Sequence, residues 1–260
     1  MKFMKPSHKH DSTENGPVRY LDDSGLRRPF DPPKAVIAVC IVAAAAAAAI
    51  GGLMASKAID QVLHGEERAA ATIESNITRG VSYDIPLLQD YIALDDASIL
   101  ARLDEAGFLT YDLTGEGDSG LDVMKLPSDT NLMDAGIALG GGIGNMDGVA
   151  ASKYLVGSWR LTVERVEGLS MRVRYADLQS PDAAAAIDSA MTSEGWIDNP
   201  AITVAAEGQD EVGNTFREGT LTASDGTAYS WRVSVCPLDD VYDIPGLPDN
   251  SQYVGIRLQA

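Results

Sequence analysis

Histidine is scarce in this sequence of 260 residues, and its absence from most of the chain excludes several kinds of active site. The three histidines are His8, His10 and His64, so residues 65–260 contain none. A Ser-His-Asp or Cys-His arrangement is therefore excluded there, and so is a transition-metal site that needs imidazole. No Gly-x-Ser-x-Gly or Ser-x-x-Lys motif occurs either.

Cysteine and basic residues are also few. Cys40 and Cys236 are the only cysteines, which excludes a disulfide framework. Cys236 falls in the register of Arg232 and Ser234, which predicts a structural thiol on the polar side of a strand. The 20 basic residues stand against 38 acidic ones, and the net charge of −18 excludes most nucleic-acid binders.

The clearest positive feature is a long apolar run. Residues 35–55 comprise 21 residues without a charge, of which ten are Ala. A helix of this length spans about 30 Å, which predicts a single transmembrane helix of marginal hydrophobicity. Seven basic residues precede the run, whereas only Lys57 and Arg68 occur in the twenty residues after it. The N-terminus is therefore predicted to be cytoplasmic and the C-terminal part extracytoplasmic, at the cell membrane.

Two alternatives concern this segment. Small residues at Ser56 and Ala58 fit a signal-peptidase site, in which case the chain is secreted after cleavage near Ala58. We favour an uncleaved anchor, because the 34 residues before the run are many for a signal peptide. Small residues such as Ala47 and Gly51 would also permit a homodimer through the span, although an Ala tract has this spacing by composition alone.

The rest of the chain divides by composition. Residues 1–34 are polar and contain five prolines, which predicts a disordered cytoplasmic tail. Residues 56–80 are predicted to form a helical stalk, and residues 81–260 an extracytoplasmic α+β domain. We expect residues 81–155 to be rich in helices and loops and residues 156–260 to be rich in strands.

Local signals place some elements of the first part. Asp95 or Asp96 is expected to cap a helix that ends at Gly107, because an Asp oxygen accepts from free amides and Gly tolerates a positive φ. Between Thr114 and Gly148 the pattern is weak, and the glycine-rich run at 136–144 is expected to be flexible.

The second part carries stronger signals. Alternating apolar residues predict a hairpin over residues 159–175 that turns at Glu167 and Gly168, and a second hairpin over residues 216–235. Ser180 and Pro181 are expected to start a helix that stops at Gly195. Ile202 and Val204 suggest a further strand, and Val254, Ile256 and Leu258 a last one. From these signals the antiparallel sheet is predicted in the order β-β-α-β-β-β, with packed helices.

Two acidic clusters are candidate calcium sites, because carboxylate oxygens are the ligands that Ca²⁺ prefers. Neither matches an EF-hand, and solvated acidic loops are the simpler interpretation. The clusters are Asp112, Glu116, Asp118 and Asp122, and Asp239, Asp240 and Asp243.

The aromatic residues of the predicted strands could form a surface platform that binds a sugar or a peptide. Trp159, Tyr175, Trp231 and Tyr229 alternate in phase with Leu, Met and Val, so we expect them in the core instead.

No catalytic residue, metal ligand or cofactor is predicted. The function favoured by these observations is a membrane-anchored envelope protein whose acidic outer domain is a non-enzymatic accessory or binding module. Its expected partner is another envelope protein or a cell-wall component, and not nucleic acid. Two alternatives remain: an enzyme that uses carboxylates on a cell-wall glycan or polymer, and a calcium-dependent adhesion module.

The predicted anchor is testable by one substitution. A charge near the centre of a transmembrane helix costs about 3 kcal/mol, which an Ala-rich run can hardly offset. Ala46→Arg should therefore remove the full-length chain from the carbonate-resistant membrane fraction, whereas Ser7→Arg should not. Equal fractionation of Ala46→Arg and the wild type would contradict the anchor, and a wild-type chain in the medium that begins near Ile59 would establish cleavage.

Overall fold

The computed structural model describes residues 64–79, 84–140, 142, 146–166 and 168–260. The predicted cytoplasmic tail and the predicted span at 35–55 lie outside these residues. Within the described ranges, no helix has the length and apolar character needed to cross a membrane. The described chain has a mixed fold of six helices and eight strands, and all eight strands belong to one antiparallel sheet.

The described residues form six helices, which flank the sheet in two groups, and eight strands. The helices are α1 (residues 64–78), α2 (Leu88–Tyr91), α3 (Asp96–Glu105), α4 (Leu132–Leu139), α5 (Gly148–Leu155) and α6 (Ala183–Ser193). The strands are β1 (Thr110–Asp112), β2 (Gly120–Lys125), β3 (Trp159–Glu164), β4 (Ser170–Asp177), β5 (Ile202–Gln209), β6 (Thr215–Thr222), β7 (Ala228–Pro237) and β8 (Gln252–Gln259).

The C-terminal strand lies in the middle of the sheet. The strand order is β1-β2-β3-β4-β8-β7-β6-β5, so β8 pairs with β4 on one side and with β7 on the other. The register sets Val173 opposite Ile256 and Ile256 opposite Val233. Strands that are far apart in the sequence are thus joined through the last strand.

One face of the sheet is buried beneath helices, and we call it the helix-covered face. Most of the alternate residues of β2, β3, β4, β7 and β8 on this face are apolar and buried. Ile99 and Leu103 of α3 and Ile187 of α6 lie in the same core cluster. Burial of this continuous apolar layer is the main stabilising contribution of the fold.

The opposite face, which we call the open face, is covered at one end only. There Ile73 of α1 and Leu155 of α5 pack in a cluster with Ala176 of β4. Next to it, Leu139 of α4 packs in a cluster with Met124 of β2. Most of the remaining strand residues of the open face are polar.

The predicted stalk overlaps α1. The last turns of this helix contact the folded part of the chain, since Asn76 Nδ2 donates to Ser152 Oγ at 2.9 Å. Arg79 donates to the carbonyl oxygens of Lys153, at 2.9 Å, and of Val156. The C-terminal half of α1 is therefore part of the packed structure.

Several predicted helix ends are confirmed. Asp95 caps α3, and its side chain accepts from Ser98 N at 2.8 Å. Gly107 follows this helix with φ of 79°, and Gly195 follows α6 with φ of 68°. The N-cap of α6 was predicted wrongly: it is Asp182, which accepts from Ala185 N, because the Ser180 hydroxyl donates to Asp177 at 2.6 Å.

All four segments that are expected to be strands after α6 form strands, but the predicted strand order is wrong because it counts only three of them. Four strands follow α6, so residues 156–260 fold in the order β-β-α-β-β-β-β. Two further strands, β1 and β2, lie in the part that was expected to be helical and loop-rich, and they extend the same sheet. The glycine-rich run was also misread in part, because residues 136–139 belong to α4.

A buried carboxyl group joins two of the helices on the helix-covered face. Glu194 at the end of α6 is 0% exposed, and its Oε2 accepts from the Leu88 amide of α2 at 2.9 Å. Burial raises the pKa of this carboxyl to about 8, against the smaller lowering effect of the Leu88 hydrogen bond. Glu194 is therefore protonated in the folded chain at neutral pH.

Glu194→Gln should change the pH dependence of stability. The folded carboxyl keeps its proton up to about pH 8, whereas the unfolded one releases it near 4.5, so raising the pH through this window destabilises the wild type. The amide variant lacks this effect. Denaturation of the full-length chain in detergent at pH 5 to 9 should show the variant gaining up to about 1 kcal/mol per pH unit relative to the wild type. Parallel profiles would contradict the assignment, and the exposed Glu105→Gln serves as the control.

Candidate anion-binding site

Three arginines lie side by side on the open face. Arg172 of β4 is directly opposite Arg257 of β8, which is directly opposite Arg232 of β7. Residues opposite each other on neighbouring antiparallel strands have Cβ atoms about 5 Å apart, and like charges in this position are destabilising. The row is therefore unusual, because three guanidinium groups project from adjacent strands with no acidic residue between them.

A second row of residues, next to the first on the open face, contains two further arginines and a glycine. Arg174 of β4 lies between Arg160 of β3 and Gly255 of β8, and Gly255 is opposite Ser234 of β7. A Cβ atom on Gly255 would be 3.3 Å from Ser234 Oγ and 3.8 Å from Arg174 Cγ. The missing side chain keeps the space between these two groups open.

All members of the two rows except Arg160 line a cavity of about 320 Å³, at the lower end of the range that is usual for small-molecule sites. Its floor is formed by β4, β8 and β7, and its rim includes the loop between β5 and β6. The lining residues are Arg172, Arg174, Asp210, Asn214, Arg232, Ser234, Val235, Cys236, Tyr253, Gly255 and Arg257.

The outer arginines of the two rows have carboxylate partners. Arg232 pairs with Asp210 and with Glu218, each at 3.0 Å, and its guanidinium lies 4.0 Å from the centre of the Phe216 ring. Arg160 pairs with Asp122, with a hydrogen bond of 2.8 Å from Nε to Oδ1. These two charges are neutralised within the fold.

The inner three are not neutralised, and we call Arg172, Arg174 and Arg257 the arginine cluster. Among the residues that the structure describes, none of the three forms an ion pair or a side-chain hydrogen bond, and Arg174 Nε is buried without a partner. Each is half-buried. Burial, followed by repulsion from Arg174 and Arg257, lowers the pKa of Arg172, although Glu164 and Tyr253 act in the opposite direction. Guanidinium stays protonated in proteins, so the cluster holds three uncompensated positive charges.

Such a cluster is suited to an anion. Guanidinium groups donate paired hydrogen bonds that match the oxygens of carboxylate and phosphate, and these charge-assisted bonds are stronger in a half-buried site. An anion in the cavity would also relieve the repulsion among the three arginines. The positive site is formed within a chain whose net charge is −18, so it is a local exception to the overall charge.

The cavity wall offers no activated nucleophile. Cys236 lines it and shares the face of Arg232 and Ser234, as its register predicted. Burial, and then the charges of Asp240 and Asp210, raise the pKa of the Cys236 thiol. The group is therefore held as the thiol and not as the nucleophilic thiolate.

The candidate calcium residues are engaged elsewhere. Asp112 accepts from Thr114 N at 2.8 Å, Asp118 accepts from Gly115 N at 2.8 Å, and Asp122 pairs with Arg160. Glu116 and the second cluster of Asp239, Asp240 and Asp243 are exposed. Within the described ranges, no three His, Cys, Asp or Glu side chains are grouped so that they could hold a metal ion.

The aromatic residues lie in the core, as their alternation predicted. Trp159, Tyr175 and Trp231 are buried in the cluster beneath the helices, and Tyr229 packs against it partly buried. They are therefore not a surface platform.

Sequence reasoning missed the arginine cluster. The alternation of the strands at 171–175 and 254–258 places Arg172, Arg174 and Arg257 on their polar sides, so part of the signal was present. What brings them together is the pairing of β8 with β4 and β7, and no local pattern specifies which strands become neighbours.

No known protein family, curated protein or solved structure matches this chain. Charge, burial and hydrogen-bonding capacity all point to binding of an anion.

The repulsion within the cluster should be measurable. Arg257→Gln removes the central charge of the first row, so it should stabilise the full-length chain by about 1 kcal/mol in buffer of low ionic strength that lacks multivalent anions. The gain should shrink at high salt, because screening weakens the repulsion in the wild type. Lys153→Gln, which removes an exposed charge from α5, is the control for net charge. Destabilisation by Arg257→Gln that becomes smaller at high salt, or a change in stability that does not depend on salt, would contradict this account.

Proposed function

We propose that this chain is a single-pass envelope protein anchored by residues 35–55, and that its outer domain is a non-enzymatic module. The module binds an anionic group of an envelope component through the arginine cluster. The observation that carries the proposal is the presence of three half-buried arginines without carboxylate partners in a strongly acidic protein.

Energetics favour a functional over a structural role for the cluster. Like charges on neighbouring strands weaken a sheet, and a half-buried charge without a partner is costly. Because 33 acidic residues follow the span, carboxylate partners were available in the sequence. A costly arrangement that the fold leaves uncompensated is typical of a binding site, where the ligand supplies the missing interaction.

The lining of the cavity favours binding over catalysis. The guanidinium groups can hold an anion but do not exchange protons near neutral pH, and the raised pKa of Cys236 disfavours attack by its sulfur. Asp210 is the acidic residue of the lining, and it is paired with Arg232. An accessory or binding role fits these groups.

The topology of the proposal comes from the charges around residues 35–55. Seven basic residues lie before the run, which favours a cytoplasmic N-terminus and an outer domain in the envelope. Secretion after cleavage near Ala58 would leave the proposed binding unchanged, because the site lies entirely within residues 172–257.

The binding proposal is tested by anion-dependent stabilisation. An anion that binds only the folded chain raises its stability by about 2.7 kcal/mol at a concentration 100-fold above Kd. At constant ionic strength, phosphate and sulfate should therefore raise the Tm of the full-length chain in neutral detergent. The effect should be lost in a double variant with Arg172→Gln and Arg257→Gln and kept in Lys153→Gln. Equal shifts in all three proteins would overturn the proposal.

A further inference from the structure

The ligand class can be narrowed further, on the basis of the proposed anion-binding function. We infer that the cavity binds the terminal phosphate monoester of a sugar or polyol, with the phosphate on the arginine cluster and the hydroxyl groups toward Asn214 and Ser234. Two features of the cavity carry this inference: the number of its uncompensated cations and the neutral polar wall beside them.

The cluster matches a group with two charges and three oxygens. A phosphate monoester carries a charge between about −1.5 and −2 at pH 7 and presents three terminal oxygens. A phosphodiester or a carboxylate carries one charge and presents two such oxygens. Three guanidinium groups, one from each of Arg172, Arg174 and Arg257, can each donate to one oxygen of a monoester. A singly charged group would leave two of the three positive charges uncompensated, and its two oxygens would leave one arginine of the cluster without an oxygen to bind.

The opposite side of the cavity is polar and close to neutral. Asp210 Oδ1 accepts from Asn214 N at 2.9 Å, and Asp210 Oδ2 pairs with Arg232 at 3.0 Å. The negative charge of Asp210 is therefore neutralised by Arg232. Asn214 Nδ2 donates to Asp210 at 3.2 Å, and the side-chain carbonyl of Asn214 remains able to accept. Ser234 Oγ has no hydrogen-bond partner among the described residues.

These groups suit hydroxyls better than a second anion or an apolar chain. An amide oxygen accepts from a hydroxyl, and a serine hydroxyl can donate or accept. Because Asp210 and Arg232 neutralise each other, this side offers no free positive charge to bind a second negative group. The open position at Gly255 lets a ligand lie across β8 between the arginine cluster and Ser234.

The shape of the cavity favours a phosphate group that extends away from the molecule that carries it. The cavity is a half-open depression of about 320 Å³ bounded by strands and the β5–β6 loop, so it does not form a flat surface for a bilayer. We therefore assign a water-accessible sugar or polyol phosphate, free or at the end of a polymer, in preference to a lipid headgroup.

The test compares five small probes on the full-length chain in neutral detergent, by calorimetric titration. Glycerol 3-phosphate is a monoester with hydroxyls, methyl phosphate a monoester without them, dimethyl phosphate a diester, and glycerate a carboxylate with hydroxyls. Dioctanoyl phosphatidic acid presents the same monoester on a lipid. We expect glycerol 3-phosphate to bind most tightly, and dimethyl phosphate and glycerate to bind at least about tenfold more weakly, since a hydrogen bond to a charged group contributes about 1.5–3 kcal/mol.

The pH profile gives an independent signature. Affinity for methyl phosphate should fall between pH 7 and pH 5, because the second pKa of a phosphate monoester is about 6 and the arginines do not titrate there. Affinity for sulfate should stay constant over the same range. A pH-independent affinity for methyl phosphate would overturn the assignment of a doubly charged group.

Matched variants separate the two halves of the ligand. Ser234→Ala and Asn214→Ala should weaken glycerol 3-phosphate about tenfold and leave methyl phosphate unchanged, whereas Arg174→Gln should weaken both and Lys153→Gln neither. Equal affinities for glycerol 3-phosphate and methyl phosphate would overturn the inference that the cavity recognises the hydroxyl groups of the ligand. Tighter binding of phosphatidic acid than of glycerol 3-phosphate would overturn the choice of a water-accessible carrier.

The failure of this inference is distinguishable from the failure of the proposed function. If dimethyl phosphate and glycerate bind as tightly as glycerol 3-phosphate, and the arginine variants abolish all three, the site is an anion site without preference for a monoester. If no probe binds, or if all bind equally to the arginine variants, the proposed function fails as well.

Discussion

The structure depends on the alternation of residues along β4, β8 and β7, which are neighbours at the centre of the sheet. On one face of these strands, apolar residues such as Val173, Ile256 and Val233 are aligned and buried beneath α2, α3 and α6. Because the side chains of a strand alternate between faces, the same register fixes which residues share the other face. Packing the core correctly therefore places Arg172, Arg257 and Arg232 in one row.

This coupling explains how a destabilising row can persist. A shift of one strand by a single residue would separate the arginines, but it would also expose the apolar side chains of the core, which contribute about 2 kcal/mol each. Repulsion between neighbouring like charges costs less than 1 kcal/mol per pair. The core therefore sets the register, the outer arginines are neutralised by Asp122, Asp210 and Glu218, and the inner three remain available.

The sequence predicted what is encoded locally. The cap at Asp95 and the helix stop at Gly195 rest on single residues with clear conformational preferences, and the hairpin of β3 and β4 on plain alternation. Strands β1 and β2 were missed because β1 has three residues and glycines surround the turn between them. The candidate site depends on β8 lying between β4 and β7, a non-local pairing, so its arginines were seen only as polar residues of separate strands.

The central claim is that Arg172, Arg174 and Arg257 together form the anion site. It is tested most directly by NMR of the full-length chain in detergent, with ¹⁵N-labelled arginine and Nε–Hε signals assigned by substitution, during titration with methyl phosphate. The account predicts that the signals of these three arginines shift together and saturate with one affinity, while those of Arg165 and Arg217, which are paired with carboxylates elsewhere, stay in place. Uniform small shifts of all arginine signals, or no shift in the cluster, would contradict it.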